Sequence, residues 1–229
     1  LQDEKLKDLD PKNRLLARQS RFRLDAEFIR DNALAASGLL VRQVGGPSVK
    51  PYQPAGYWEN LNFPRRTYAA DQGSSQYRRG LYTHWQRQFL HPALLAFDAP
   101  SREECTADRP RSNTPLGALV LLNDPTHVEA ARALAQTTLA DSGLKNNSSR
   151  IKSLVMRVLS RPALDEEIAV LSSLLEKHRK EFADDPDSAN RLAAIGQHPL
   201  PQNVSRPELA PWISVARALL NLHETITRN

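Results

Sequence analysis

The chain has 229 residues, with 31 Lys plus Arg against 26 Asp plus Glu, six His, three Trp, one Cys and one Met, and a mean hydropathy of -0.52. These figures exclude a polytopic membrane protein, a disulfide-stapled miniprotein and a charge-driven disordered tail. A chain of this size can bury about 70% of its unfolded surface, enough for a real core.

The excess positive charge is unevenly placed. Residues 45–97 hold Lys50, Arg65, Arg66, Arg78, Arg79 and Arg87 against only Glu59 and Asp71. Arg outnumbers Lys by 23 to 8, which suits bidentate pairing with carboxylate, sulfate or phosphate, although internal Arg–carboxylate pairs explain the same composition more simply. Cys105 is the sole cysteine, so no intrachain disulfide, no paired-cysteine zinc site and no C-x-x-C-H haem attachment can form. No apolar run of about 18 residues occurs, so no membrane span is expected. The charged start from Leu1 to Asp10 is unlike a signal peptide and reads as a piece of something longer, with any targeting segment upstream.

Taken in order, residues 10–44 are Arg-rich and have a helical pattern. Asp10-Pro11 offers a cap followed by proline, with Leu15, Leu16, Gln19 and Phe22 on neighbouring turns. Arg14, Arg18 and Arg21 form a stripe best read as a solvated face. A second helix is expected from Asp25 to about Gly38, with Phe28, Ile29 and Ala33 facing inward.

Residues 45–97 carry ten of the fourteen aromatic residues and five of the nine glycines. Their Gly and Pro punctuation predicts an irregular insert with short extended pieces. Arg79 to Trp85 alternates like a strand and could form a hairpin with residues 65–69 across the loop at 71–75.

From about Pro92 onward the pattern is helical. Thr114-Pro115 and Asp124-Pro125 repeat the cap-then-proline signature, predicting a short apolar helix over 116–122 and a longer one from Pro125 to about Asp141, buried through Val128, Ala131, Leu134, Ala135 and Leu139. Further helices are expected from Ser148 or Ser149 to about Ser160 and from Leu164 to Phe182. A last one follows the Pro-rich stretch 199–211 and carries Trp212, Val215, Leu219 and Leu222. No fixed-period repeat is evident, which argues against a solenoid. The predicted fold is mainly α, a compact multi-helix single domain with an irregular insert that can hold a short hairpin: a helical pair at 10–44, the insert at 45–97 and a helical body at 98–229.

Common catalytic signatures are absent: there is no H-E-x-x-H, no phosphate-binding Gly-rich loop, no G-x-S-x-G and no EF-hand loop. Three constellations remain. Asp98, Arg102, Glu103, Glu104, Cys105, Arg109, Arg111 and Asn113 fall within one short span, so the carboxylates are candidate acid/base groups and the guanidiniums candidate anion holders. Salt bridges tying a long loop to the body are the stronger explanation. Cys105 with His84 or His91 could make a nucleophile and its base, but a buried, inert thiol is the expectation. Finally, Tyr52, Tyr57, Trp58, Tyr77, Tyr82 and Trp85 interleave with Arg65, Arg66, Arg78, Arg79 and Arg87, a mixture that suits acidic glycan or single-stranded nucleic acid, or an aromatic mini-core with internal cation–π contacts. The six scattered His supply no helix-spaced pair, so no metal site is expected.

Several runs resemble one family. They include Asp10-Pro11-x-Asn13-Arg14-Leu15-Leu16, Arg23-Leu24-Asp25-Ala26-Glu27-x-Ile29-Arg30-Asp31, Gly45-Gly46-Pro47-Ser48-Val49 and Arg78-Arg79-Gly80-Leu81-Tyr82. They continue with Phe97-Asp98-Ala99-Pro100-Ser101-Arg102-Glu103-x-Cys105, Arg111-Ser112-Asn113-Thr114-Pro115, Leu159-Ser160-Arg161-Pro162 and Ala216-Arg217-Ala218-Leu219-Leu220-Asn221-Leu222-x-Glu224. In this order they resemble the PSD-type C-terminal domain of unknown function abundant in planctomycetes. Gly117 stands where that family's pattern leads one to expect Gln.

The resemblance implies a C-terminal module of a large exported protein, periplasmic, cell-surface or extracellular, with haem c in an upstream domain and no cofactor in this chain. The expected role is a non-catalytic accessory, docking or binding module connected with polysaccharide handling. Its expected partners are the upstream domains of the same polypeptide and an acidic glycan, rather than nucleic acid. The alternative is an enzyme domain acting on acidic or sulfated carbohydrate through Asp98, Glu103 or Glu104. Binding candidates are Arg78, Arg79, Tyr82, Trp85, Arg87, Arg102, Arg109, Arg111 and Asn113.

Overall fold

A computed structural model describes residues 4–17, 19, 21–59, 67–87, 89–200 and 204–228. The fold is mainly α. Its centre is built by helices α5 (Pro125–Ala140), α6 (Asn147–Leu159), α7 (Asp165–Asp184), α8 (Pro186–Ala193) and α9 (Arg206–Leu220). α9 is the hub and packs against α5, α7 and α8. Leu134, Ile151, Leu154, Leu175, Leu209, Trp212, Ile213 and Leu219 lie in one continuous core, and each fully buried Leu or Ile side chain contributes roughly 1.5–3 kcal/mol of transfer free energy.

α5 begins where its sequence signal places it, with the Asp124 side chain accepting from the Thr126 N–H at 2.9 Å. α6 begins before the Ser148 or Ser149 expected: Asn146 is its cap and accepts from Ser149 N–H at 2.8 Å. α9 begins earlier than expected. Ser205 caps it, so Pro211 sits inside the helix rather than ahead of it, where it forgoes one backbone donor. α8 repeats the cap-then-proline device at Asp185-Pro186, with Asp185 accepting from Ser188 N–H at 3.0 Å.

The other described helices are α1 (Glu4–Leu9), α2 (Ala26–Ser37), α3 (Pro92–Leu95), α4 (Pro115–Asn123) and α10 (His223–Ile226), of which α2, α4 and α10 pack on the body. Among the described residues, the strands β1 (Phe22–Arg23) and β2 (Thr227–Arg228) form a two-stranded antiparallel sheet that ties the segment before α2 to the segment after α10.

α2 ends on Gly38 in the left-handed conformation, as its sequence predicts. Ile29 and Ala33 are buried, but Phe28 is 51% exposed, because it lies a full residue step around the helix from the stripe formed by Ala26, Ile29, Ala33 and Leu34. The helix expected after Asp10 does not form. α1 instead stops before Asp10, whose carboxylate accepts from the Arg14 and Leu15 N–H groups, and Asn13 and Leu16 take positive φ, which turns the chain repeatedly. Arg18 of the predicted stripe lies outside the described residues.

Between α2 and α3 the insert is irregular, as expected. The strand predicted over 79–85 is absent: Gly80–Tyr82 is a 3₁₀ turn, and only single bridges join Val41 to Arg78 and Val49 to Thr83. The reason is steric. A Cβ on Gly80 would lie 2.9 Å from the Cα of Glu27, so the chain rides directly on α2 and turns there instead of running extended. Arg65 and Arg66 of the predicted hairpin lie outside the described residues.

Candidate functional site

The loop from Asp98 to Asn113 brings together the acid, thiol and guanidinium candidates, and its carboxylates face different environments. Asp98, at φ 61, accepts from Arg23 Nη2 at 2.7 Å, from Ser112 N–H at 2.8 Å and from Ser112 Oγ at 2.9 Å. Arg23 also donates to the carbonyls of Phe97 and Ser112. Burial pushes the Asp98 carboxyl up, but these hydrogen bonds and the guanidinium outweigh it and hold the group below the usual carboxylate range. Such a group is a committed anion rather than a proton donor.

The far end of the loop is pinned in the same way. Arg109 Nη1 donates to Glu27 Oε2 at 2.9 Å and lies 3.9 Å from Asp25. Arg111 Nε lies 3.5 Å from Asp25, and its guanidinium sits 5.6 Å from the centre of the Phe22 ring. Glu103 and Glu104 are exposed between these pins, and among the described residues neither forms an ion pair. Cys105 is exposed as well, contrary to the buried thiol expected, because it lies on a loop crest whose residues 101–108 are all exposed. Asn113 is exposed and borders a cavity of about 120 Å³ with Arg23, Thr114, Gly117 and Asn221.

In the insert, the aromatic and Arg candidates are divided among separate pairs. Arg78 is 4% exposed. Its guanidinium donates to the carbonyls of Pro47 and Gly45 and stacks 4.0 Å from the centre of the Tyr82 ring, while the Tyr82 hydroxyl accepts from Gly45 N–H at 2.8 Å. Arg102 lies 4.1 Å from the centre of the Trp85 indole, whose Nε1–H donates to the Ser101 carbonyl. Arg79 Nε is 3.6 Å from Asp31. Arg87 is exposed, apart from these pairs. Tyr57, Trp58, Tyr68 and Phe89 form an aromatic cluster with ring centres 5.3–6.2 Å apart.

Beneath the insert lies a polar cluster that the sequence does not announce. Glu129, on α5, has no solvent exposure and accepts from Tyr77 Oη at 2.9 Å, Tyr52 Oη at 3.0 Å and His198 N–H at 2.5 Å. Arg132 approaches it at 3.4 Å and donates to the His198 carbonyl at 2.7 Å. Burial and the neighbouring Glu129 push both tyrosines well above their usual range. One turn earlier, His127 Nδ1 lies 3.5 Å from Asp124, and buried His91 holds the Tyr52 carbonyl through Nε2 at 2.9 Å. Burial pushes His91 down to about 4, against the pull of Asp124. Arg30 donates to the carbonyls of Arg78 and Gln76 at 2.6 and 2.5 Å, and Asp31 accepts from Gly80 N–H at 2.6 Å. α5 reads as a helix with one polar face, and only contacts far away in sequence bury that face.

α4 carries the opposite signal. Apart from Asn123 its sequence is apolar, with Gly the one residue lacking a side chain, yet Gly117 and Leu121 are its buried positions. Leu116 is 58% and Leu119 55% exposed. Thr114 caps its start, accepting from Gly117 N–H. Gly117 packs so closely on Phe97 that a Cβ there would lie 3.1 Å from the ring, which seats α4 with Leu116 and Leu119 uncovered among the described residues. Among the described residues, no group of three His, Cys, Asp or Glu could hold a metal ion, and no helix is long and apolar enough to cross a membrane.

A mainly α fold with a salt-bridged irregular insert and an exposed apolar helix is thus what the chain builds. It belongs to the PSD1 family of proteins of unknown function (DUF1553), whose family model matches residues 1–175. The matched span ends within α7, so the resembling run at 216–224 in α9 and α10 lies beyond it. No curated protein and no solved structure matches the chain.

Proposed function

We propose that the chain is a non-catalytic docking module of a larger exported, cytochrome-linked bacterial protein of the planctomycete type, seated on an upstream domain of the same polypeptide through α4. The observation that carries this reading is the outer face of α4, where Leu116 and Leu119 are more than half exposed on a short apolar helix held firmly from beneath. Apolar side chains presented on a fixed support favour burial against a second folded surface. The saturated carboxylate of Asp98 argues against that candidate as general acid or base, which needs an accessible proton site. In this arrangement the haem c belongs to an upstream domain, and the whole protein works outside the cytoplasm in polysaccharide handling.

The test is association in trans between this chain and the upstream part of its polypeptide, measured by sedimentation. Leu116→Lys with Leu119→Lys should weaken association at least tenfold while the melting temperature stays within a few degrees. Unchanged association would reject α4 as the docking face.

A further inference from the structure

On the surface opposite in character to α4, the outer face of α2 borders a groove of about 500 Å³ lined by Phe28, Asp31, Asn32, Arg42, Arg79 and Arg228. Its volume falls within the range of small-molecule sites, and it shares no lining residue with α4. Three guanidiniums meet one carboxylate here, and that carboxylate is already engaged: Asp31 accepts from Gly80 N–H and lies 3.9 Å from Arg30 and 3.6 Å from Arg79. Arg42 is exposed and has no side-chain partner among the described residues. Arg228 is held over the groove by Asn32 Oδ1 at 3.3 Å and by the Thr227 carbonyl at 3.1 Å, while Asn32 Nδ2 donates to the Thr225 carbonyl at 3.0 Å.

The positively charged groups are all Arg, whose planar forks match carboxylate and sulfate oxygens two at a time. Phe28 adds an exposed ring on the same helix face as Asn32 and Ala35, one turn and two turns away. A pyranose has both an apolar C–H face to lay on that ring and, when oxidised or sulfated, an anion to place between the guanidiniums. Single-stranded nucleic acid needs successive aromatic platforms, and among the described residues Phe28 is the one aromatic residue lining the groove. Acidic peptides supply the anions but leave the ring without a role.

We infer that this groove binds an acidic saccharide, with Phe28 as the stacking platform and Arg42, Arg79 and Arg228 as the holders of its uronate or sulfate groups. The inference is independent of docking through α4. The experiment is calorimetric titration of the chain at physiological salt with trigalacturonate and a sulfated heparin tetrasaccharide, with maltotriose, polyglutamate and oligothymidylate as comparison probes. At least one acidic saccharide should bind, with maltotriose silent. Phe28→Ala, and separately Arg42→Ala with Arg228→Ala, should each cut affinity at least tenfold at an unchanged melting temperature, while Arg87→Ala, outside the groove, leaves it intact. Absence of binding by both acidic saccharides would overturn the inference. So would binding that polyglutamate or oligothymidylate equals and that Phe28→Ala leaves unchanged, since that pattern describes a diffuse basic surface.

Discussion

Between α5 and α9 the chain is held by buried Leu134, Ile151, Leu154, Leu175, Trp212 and Ile213, whereas the described residues of 39–114 combine small apolar clusters at Leu39, Tyr77, Leu94 and Phe97 with polar ties to Arg23, Glu27, Arg30, Asp31 and Glu129. The contrast follows from element length. A helix of thirteen or more residues, such as α6, presents a continuous apolar stripe, while a 3₁₀ turn of three residues such as Gly80–Tyr82 has none, and its backbone carbonyls and N–H groups need partners. Arg30 and Asp31 on α2 reach out and supply them. Apolar packing tolerates change diffusely, but a polar pin fails when one partner is removed.

The largest expected effect breaks that contrast at its strongest pin. Glu129→Ala strands two tyrosine hydroxyls, the Arg132 guanidinium and the His198 N–H, and should cost about 3–5 kcal/mol in urea unfolding, with Glu129→Gln less harmful. A loss below about 1 kcal/mol would mean that the insert is not held this way.

Acid should separate the two regions. The folded-state pKa of His91 lies below its ordinary value, at about 4 against 6.5, so the unfolded chain binds the proton first. Its contribution is therefore full above pH 6.5 and is lost as pH falls toward 4, by roughly 3 kcal/mol. In the body, Arg161 holds Glu167 down to about 2 from 4.5. That contribution is full above pH 4.5 and disappears only as pH falls toward 2. Denaturant midpoints measured from pH 7 to pH 4 should therefore drop for the native chain and flatten in His91→Gln; parallel slopes would contradict the assignment.

A smaller effect sharpens the steric side of the comparison. Gly80→Ala, pressing on the α2 backbone, should cost about 1–3 kcal/mol, readable as a lowered melting temperature. Smallest of all, Leu116→Lys should change stability by no more than about 0.5 kcal/mol, since it touches the outer face of α4 and not its packing. A larger loss would show that this face is part of the core.

Much of the helical body was legible because its signals are local. Thr114-Pro115 and Asp124-Pro125 start helices as their sequence predicts, and Asp185-Pro186 carries the same signature for α8. Asp10-Pro11 misleads because the same pair can also terminate the helix before it: proline disfavours helical backbone in the residue it follows. The alternation at 79–85 resembles a strand, but Gly80 lies against the α2 backbone and the chain turns there, keeping a single bridge from Thr83 to Val49.

The sites were legible in part. The sequence brings Asp98, Arg109 and Arg111 into one loop, but their partners Arg23, Asp25 and Glu27 lie more than seventy residues away. Glu129 and Arg132 read as an ordinary surface pair on α5 until residues 52, 77 and 198 cover them. The apolar composition of α4 was visible, whereas which of its faces lacks a partner depends on the packing of Phe97 beneath Gly117.

The most direct test of docking through α4 is hydrogen exchange of residues 115–123, compared between this chain alone and the longer polypeptide. The account predicts that the amides of α4 exchange at least tenfold more slowly when the upstream domain is present, with α6 and α7 unchanged. Equal exchange at α4 in both forms, with new protection elsewhere on the surface, would contradict it.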